Sequence, residues 1–348
     1  MDYLKNMLFT SILILNLPTY AQKPIINILD SGRKTSLRGL SVVDDNILWV
    51  SGSNGTIARS TNGGKTFEWI TVHGYEQRDF RDVEAFNANT ALIMAVAEPA
   101  VILKTKDGGK TWKKVFEDTT KGMFLDAMDF AEDEKHGIVI GDPIKNYVFL
   151  ALTEDAGESW KVSDTRRSEY KMHDSEAFFA ASGTNVKLVW DSISKVTHVF
   201  YVSGGKKSRL FIDDKSVELP MHQGEESMGA NSIAIDEGNK AIVVGGDFKH
   251  DTSSDKNCVI TTLNYKKEDV DFKNPQTPPH GYRSCVEYIT KDKVISCGTS
   301  GVDISNDGGT NWESISIQSF HVCQKTKKAN KVFLAGANGR IAVLSYSL

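Results

Sequence analysis

The sequence predicts an all-β chain folded as a single seven-bladed β-propeller. Three observations carry this: a turn motif that recurs at near-regular intervals, two kinds of strand-like run that each occur seven times, and a length that divides into seven blade-sized units.

The turn motif is clearest in four segments: Ser60-Thr61-Asn62-Gly63-Gly64-Lys65-Thr66-Phe67, Thr105-Lys106-Asp107-Gly108-Gly109-Lys110-Thr111-Trp112, Thr153-Glu154-Asp155-Ala156-Gly157-Glu158-Ser159-Trp160, and Ser305-Asn306-Asp307-Gly308-Gly309-Thr310-Asn311-Trp312. Two weaker copies are read around Ser203-Gly204-Gly205-Lys206 and Asn264-Tyr265-Lys266-Lys267, giving intervals of 45, 48, 48, 61 and 43 residues from Asn62 onward. The chemistry is that of a tight hairpin. A short side-chain oxygen accepts from backbone N–H groups in the turn, and glycine supplies the positive φ of the reversal. The closing aromatic opens the next strand. Asn62, Asp107, Asp155 and Asp307 are therefore assigned structural roles in outer hairpins.

Runs ending in small residues recur at Ile47–Gly52, Leu92–Ala97, Gly137–Gly141, Val186–Trp190, Ala241–Gly245, Val294–Gly298 and Val332–Gly336. An apolar strand precedes each, at Arg38–Val43, Arg81–Phe86, Leu125–Phe130, Asp174–Phe179, Ala230–Ile235, Arg283–Ile289 and His321–Thr326. Each unit thus reads as three strands, a turn and a fourth strand. The last unit ends after its third strand, so Pro24–Leu29 is expected to supply the fourth and to remove a free sheet edge.

Residues 1–21 read differently. Lys5 precedes an apolar run of 11 residues, Met7–Leu17, too short to span a bilayer, and Thr19 and Ala21 place small side chains before Gln22. This is a signal-peptide pattern, so 22–348 is expected to be the mature propeller, secreted or periplasmic, monomeric and not integral to a membrane. The net charge of −4 and the 25% charged residues offer no field for nucleic acid. Export permits disulfides. Of Cys258, Cys285, Cys297 and Cys323, the second and third flank a hairpin turn at Lys291-Asp292-Lys293 and are the candidate pair, although spacing leaves all pairings open. No spacing matches a metal site, and no cofactor motif is present: Gly63-Gly64-Lys65-Thr66 lacks the upstream glycine of a phosphate loop.

The turn pattern, roughly S/T-x-D-x-G-x-T-W, resembles the bacterial-neuraminidase (BNR) or Asp-box repeat. Together with Leu37-Arg38-Gly39-Leu40-Ser41-Val42-Val43 and the run from Ile47 to Ile57, it is similar to the photosystem II stability/assembly-factor-like family of seven-bladed propellers. That resemblance implies a non-catalytic protein that binds a partner. It is clear in blades one to three and in the last two, and blurred in blades four and five.

Propellers bind ligands at one mouth of the central channel, where the innermost strands begin. Aligning the seven first strands predicts a ligand-binding ring of Arg38, Arg81, Asp82, Asp126, Asp174, Asn231, Arg283 and His321, able to take a protein partner or a glycan. The three arginines would hold acidic groups, and the other residues would set orientation. The alternative is a glycoside hydrolase of sialidase or glucanase type. It would need a tyrosine–glutamate pair or two acids about 5–10 Å apart at an open mouth. Phe80-Arg81-Asp82-Val83 is the nearest match to the sialidase Arg-Ile-Pro motif and lacks its proline. A channel without a site, with a blade edge binding the partner, is the third reading.

Overall fold

The computed structural model describes residues 23–192, 194–263, 270–326 and 331–346. Seven antiparallel sheets form a β-propeller. Blade 1 comprises Leu37–Val42, Leu48–Gly52, Thr56–Ser60 and Glu68–Thr71; blade 2, Phe80–Ala85, Ala91–Ala95, Ala100–Thr105 and Lys113–Asp118; blade 3, Leu125–Phe130, Gly137–Ile144, Tyr147–Thr153 and Lys161–Val162. Blade 4 is built from Val186–Asp191, Val196–Val202, Arg209–Ile212 and Lys215–Glu218; blade 5 from Met228–Ile235, Lys240–Asp247, Cys258–Thr262 and Phe272–Lys273; blade 6 from Cys285–Tyr288, Val294–Gly298, Gly301–Ser305 and Trp312–Ser316. Blade 7 takes Val322–Lys325, Val332–Ala335 and Ile341–Tyr346 from the end of the chain and Pro24–Asp30 from its beginning. The expected closure by the N-terminal strand is thus found, with Ile26 opposite Leu344. The signal-peptide reading concerns residues outside those described.

Burial explains why the strands read as apolar runs. Each inner sheet region is covered on both faces by neighbouring blades, so Ala91–Ala95 is buried at every position, while the outermost strand Lys113–Asp118 is largely exposed. The core lies between blades: Leu92, Met94 and Ile102 of blade 2 pack with Leu125, Met128 and Val139 of blade 3. Side chains on the inner strands also stitch blades together. Ser41 Oγ accepts from Ala85 N (2.9 Å), Asp82 Oδ2 from Met128 N (2.7 Å), Asp129 Oδ2 from Leu188 N (2.6 Å), and Gln324 Oε1 from Val42 N (2.6 Å).

The Asp-box turns follow the chemistry read from sequence. In blade 2, Asp107 Oδ1 accepts from Thr111 N (2.9 Å) and Oδ2 from Thr111 Oγ1 (2.6 Å). Thr105 Oγ1 donates to Asp107 Oδ1 and accepts from Gly109 N, both at 2.9 Å. Gly109 has φ +89°, and a Cβ there would sit 2.8 Å from Ile70 of blade 1, so glycine serves the turn and the blade contact at once. Asn62, Asp155 and Asp307 repeat the arrangement with Thr66, Ser159 and Asn311. Thr105→Val keeps the shape of a fully buried side chain but orphans the buried Gly109 N–H. It is expected to lower stability by about 1–3 kcal/mol, read from the shift in urea midpoint.

Blade 4 departs from the expectation. Its innermost strand is Val186–Asp191, which the sequence had placed second. The stretch assigned as innermost, Asp174–Phe179, contributes only Glu176–Ala177. These pair with Gly204–Gly205 and extend the sheet of blade 5 to six strands. The weak turn copy at Ser203–Lys206 is therefore no Asp box; the outer hairpin of blade 4 turns at Asp213-Asp214. The reason is a buried carboxylate elsewhere. Glu176 accepts from Ser203 Oγ (2.5 Å) and from Arg209 Nε and a terminal guanidinium nitrogen (both 2.8 Å), which draws Ser203 inward. The other weak copy, 264–267, lies outside the described residues.

Candidate functional site at the channel mouth

The mouth is built by β-bulges. Register slips between Leu37 and Gly39, Phe80 and Asp82, Leu125 and Ala127, and Ala230 and Ser232, leaving Arg38, Arg81, Asp126 and Asn231 as the extra residues. A bulge re-aims a side chain out of the pleat, which is how four inner strands present one residue each to the axis. His321 takes the equivalent place in blade 7, where its N–H donates to Ala335 O (2.8 Å).

Arg283 does not. The matching N–H in blade 6 is that of Ser284, which donates to Cys297 O (2.9 Å). Arg283 N donates to Gly245 O (2.9 Å), as Leu37 does to Gly336 and Phe320 to Gly298, so Arg283 aligns with buried apolar residues. A one-residue offset changes the face of a strand. The Arg283 side chain is fully buried. Its Nε donates to Asp303 Oδ2 (2.6 Å), one terminal nitrogen to Ser300 Oγ (2.7 Å) and Tyr282 O (2.8 Å), and the other to His280 O (2.6 Å) and Asp303 Oδ2. Every guanidinium proton is used, so this arginine holds blade 6 together and binds no ligand. Asp174 is also absent from the ring. It lies exposed in the loop before Glu176, accepting from Asn146 Nδ2 (3.3 Å).

Asp82 faces inward beneath the mouth. Its oxygens accept from Val83 N (2.8 Å) and Met128 N (2.7 Å), and burial pushes its pKa up to about 8. Asn231 accepts from Tyr282 Oη (2.7 Å) and donates to Gly229 O (3.3 Å). Asp126 is wholly buried. Burial first, and then the charge of Asp142, drive its pKa well above the usual carboxylate range, while Arg81 opposes them. Asp142 itself is raised by burial to about 6.

The channel is closed, a feature absent from the reading of the sequence above. Residues 180–185 are all buried and cross it. Arg38 of blade 1 donates to Ala181 O (3.4 Å), Ser182 Oγ to Ser284 O of blade 6 (2.7 Å), and Thr184 Oγ1 shares a proton with Ser232 Oγ of blade 5 (2.7 Å). Gly183 lies against the Asp82 carboxylate of blade 2. One short segment therefore touches four blades. The run Ala180-Ala181-Ser182-Gly183-Thr184 was the available signal, since only small side chains fit across a propeller axis.

What remains open is a positively charged rim. Arg81 Nε donates to Asp79 Oδ2 (2.7 Å), and its guanidinium lies 5.6 Å from the Phe124 ring centre. Arg38 forms no ion pair among the described residues. Burial and the charge of Arg81 lower its pKa. The same two arginines, after burial, hold His321 down to about 3, so it is neutral at pH 7; its Nε2 lies 3.2 Å from Ser36 Oγ. A half-buried arginine beside a second arginine is a site short of an anion.

The candidate disulfide residues Cys285 and Cys297 are directly opposite in the ladder of blade 6. Both are buried free thiols, as are Cys258 and Cys323, and Cys323 Sγ stands 3.7 Å from Cys285 Sγ. No cluster of metal-ligating side chains occurs among the described residues. No helix among them is long and apolar enough to cross a membrane.

Residues 27–122, covering the closing strand and the first two blades, match the family model described as photosynthesis system II assembly factor YCF48. Over that stretch the chain is similar to the photosystem II assembly-factor propellers. The structure of YCF48 from Cyanidioschyzon merolae superposes with a TM-score of 0.60 at 16% identity, over 92% of this chain and 98% of that one. A structure of YCF48 bound to a D1 peptide gives the same score and identity, over 95% and 98%. At this identity the likeness concerns the fold. No curated protein sequence matches the chain.

Proposed function

We propose that this assembly-factor-like propeller is an exported, non-catalytic binding protein that takes an acidic segment of a protein partner on the rim formed by Arg38 and Arg81. The observation that carries the reading is Arg38: desolvated, next to a second cation, and without a carboxylate partner among the described residues. A bound carboxylate would satisfy it through charge-assisted hydrogen bonds. That the similar YCF48 propeller has been seen with a D1 peptide supports a protein ligand over a sugar. Export rests on Lys5, the apolar run Met7–Leu17 and the small residues Thr19 and Ala21.

Two features weigh against glycoside hydrolysis. The channel is filled by the 180–185 segment. Tyr282, the tyrosine nearest the mouth, is buried, donates to Asn231, and has its pKa raised by burial, the opposite of an activated nucleophile.

Fluorescence anisotropy with a labelled decapeptide rich in Asp and Glu tests the binding reading. The Arg38→Ala/Arg81→Ala variant is expected to bind at least about tenfold more weakly than the wild type, since a charge-assisted bond is worth about 1.5–3 kcal/mol, with its melting temperature nearly unchanged. Equal affinity for the two proteins would overturn the assignment of the rim.

A further inference from the structure

The rim has a second, apolar half. Phe248 follows the second strand of blade 5, on the same face of the propeller as the bulges, and is 45% exposed. Its position is fixed. Phe248 N donates to Ser227 O (3.1 Å), and its ring meets Phe179 edge to face at 5.8 Å and Tyr282 at 6.3 Å. What sets Phe248 apart from a singly exposed apolar residue is that it packs against two further rings beside a cationic site, the combination of aromatic and arginine side chains that dominates binding energy at interfaces.

The two halves are joined by one short stretch of chain. Phe179 carries the ring that supports Phe248, and its carbonyl accepts from Ala181 N (2.7 Å). Ala181 O in turn accepts from Arg38. Tyr282 links them again, since its ring touches Phe248 and its phenol lies within electrostatic range of Arg38. Phe179 and Ala181 are two positions apart in one tight turn, so the apolar and cationic halves are tied to the same short segment. Glu225 and Glu226 stand exposed next to Ser227, whose carbonyl holds Phe248 N, and like charge disfavours a carboxylate beside them.

Building on the acidic-segment reading above, we infer that the partner segment carries a large apolar side chain close in sequence to its carboxylate, seated on Phe248 while the carboxylate meets Arg38 and Arg81. Specificity then comes from the pair of features, because charge alone selects poorly among acidic peptides.

The test uses three labelled peptides of one length: one with a single Asp and a Phe two residues away, one with Ser in place of that Phe, and one with Asn in place of the Asp. Each is titrated by anisotropy into the wild type, Phe248→Ser and Arg38→Ala/Arg81→Ala. The wild type is expected to bind the Asp/Phe peptide at least about tenfold more tightly than the Asp/Ser peptide, by burial of one aromatic side chain. Phe248→Ser should erase that preference and retain the weaker affinity for Asp/Ser. Because Phe248 is exposed, the variant should keep the wild-type melting temperature. Equal binding of the Asp/Phe and Asp/Ser peptides by the wild type, or a preference that survives Phe248→Ser, would overturn the inference and leave the arginine rim standing. Indifference to Asp→Asn would instead overturn the rim. A wild type that is dimeric by light scattering, and monomeric as Phe248→Ser, would assign the patch to a second copy of the chain and overturn the inference.

Discussion

Arg283→Ala is expected to be among the most destabilising single substitutions in the chain and to leave ligand affinity unchanged. The side chain is at 0% exposure, as is its partner Asp303. Removing it strands a buried carboxylate that keeps only His280 Nδ1 (2.7 Å) and the His280 N–H (3.2 Å). It also leaves the carbonyls of His280 and Tyr282 with only the longer bonds from Ser300 Oγ, at 3.3 and 3.5 Å. Breaking one partner out of a buried ion pair costs on the order of 3–5 kcal/mol. Lysine should not rescue the fold, because a point charge with three donors cannot reproduce a planar fork that serves five contacts. The measurement is a urea denaturation curve for wild type, Arg283→Ala and Arg283→Lys, beside acidic-peptide titration at low temperature where the variants remain folded. Loss of peptide affinity without loss of stability would return Arg283 to the mouth. The opposite pattern is expected of the Arg38→Ala/Arg81→Ala variant.

That contrast shows which parts of the molecule were legible in the sequence. The Asp-box turns were, because the side-chain hydrogen bonds that shape Thr105–Trp112 are all local. The positions of the bulged residues Arg38, Arg81, Asp126 and Asn231, and of His321 at the equivalent place in blade 7, were legible too, because equivalent strands line up equivalent positions. Arg283 failed on the same logic. In Tyr282-Arg283-Ser284-Cys285 the conspicuous residue is the arginine, while the mouth position belongs to the unremarkable Ser284. A slip of one residue is invisible to composition and reverses the face of a strand. Blade 4 failed for a different reason. Its inner strand has no Asp box to anchor the count, and the stretch before it is organised by contacts far apart in sequence, such as Glu176 with Arg209 and Ser182 with Ser284. Phe248 sits in a loop, where no periodicity marks it.

Gly183→Ala is the second substitution expected to have a large effect, and it tests the closed channel directly. Gly183 has φ +70°, a conformation that costs other residues about 1–2 kcal/mol. A Cβ there would also lie 2.3 Å from Asp82 Oδ1 and 2.6 Å from Oδ2. Asp82 cannot step aside cheaply, since both oxygens are already spent on Val83 N and Met128 N, the second of which joins blades 2 and 3. Overpacking of this kind costs about 1–3 kcal/mol, so the expected loss is about 2–5 kcal/mol in all. The double variant with Asp82→Ala separates the two contributions. If the clash is real, Gly183→Ala should cost less in the Asp82→Ala background than in the wild type, a coupling that residues out of contact do not show. Urea midpoints of the four proteins give the coupling. Strict additivity would mean that Gly183 does not rest on Asp82 and that the segment does not cross the axis as described. Partner binding at Arg38 depends on the same segment, because Ala181 O is what holds the guanidinium at the rim. Gly183→Ala should therefore weaken acidic-peptide binding as well, whereas Thr105→Val, also destabilising but remote in an outer turn, should not.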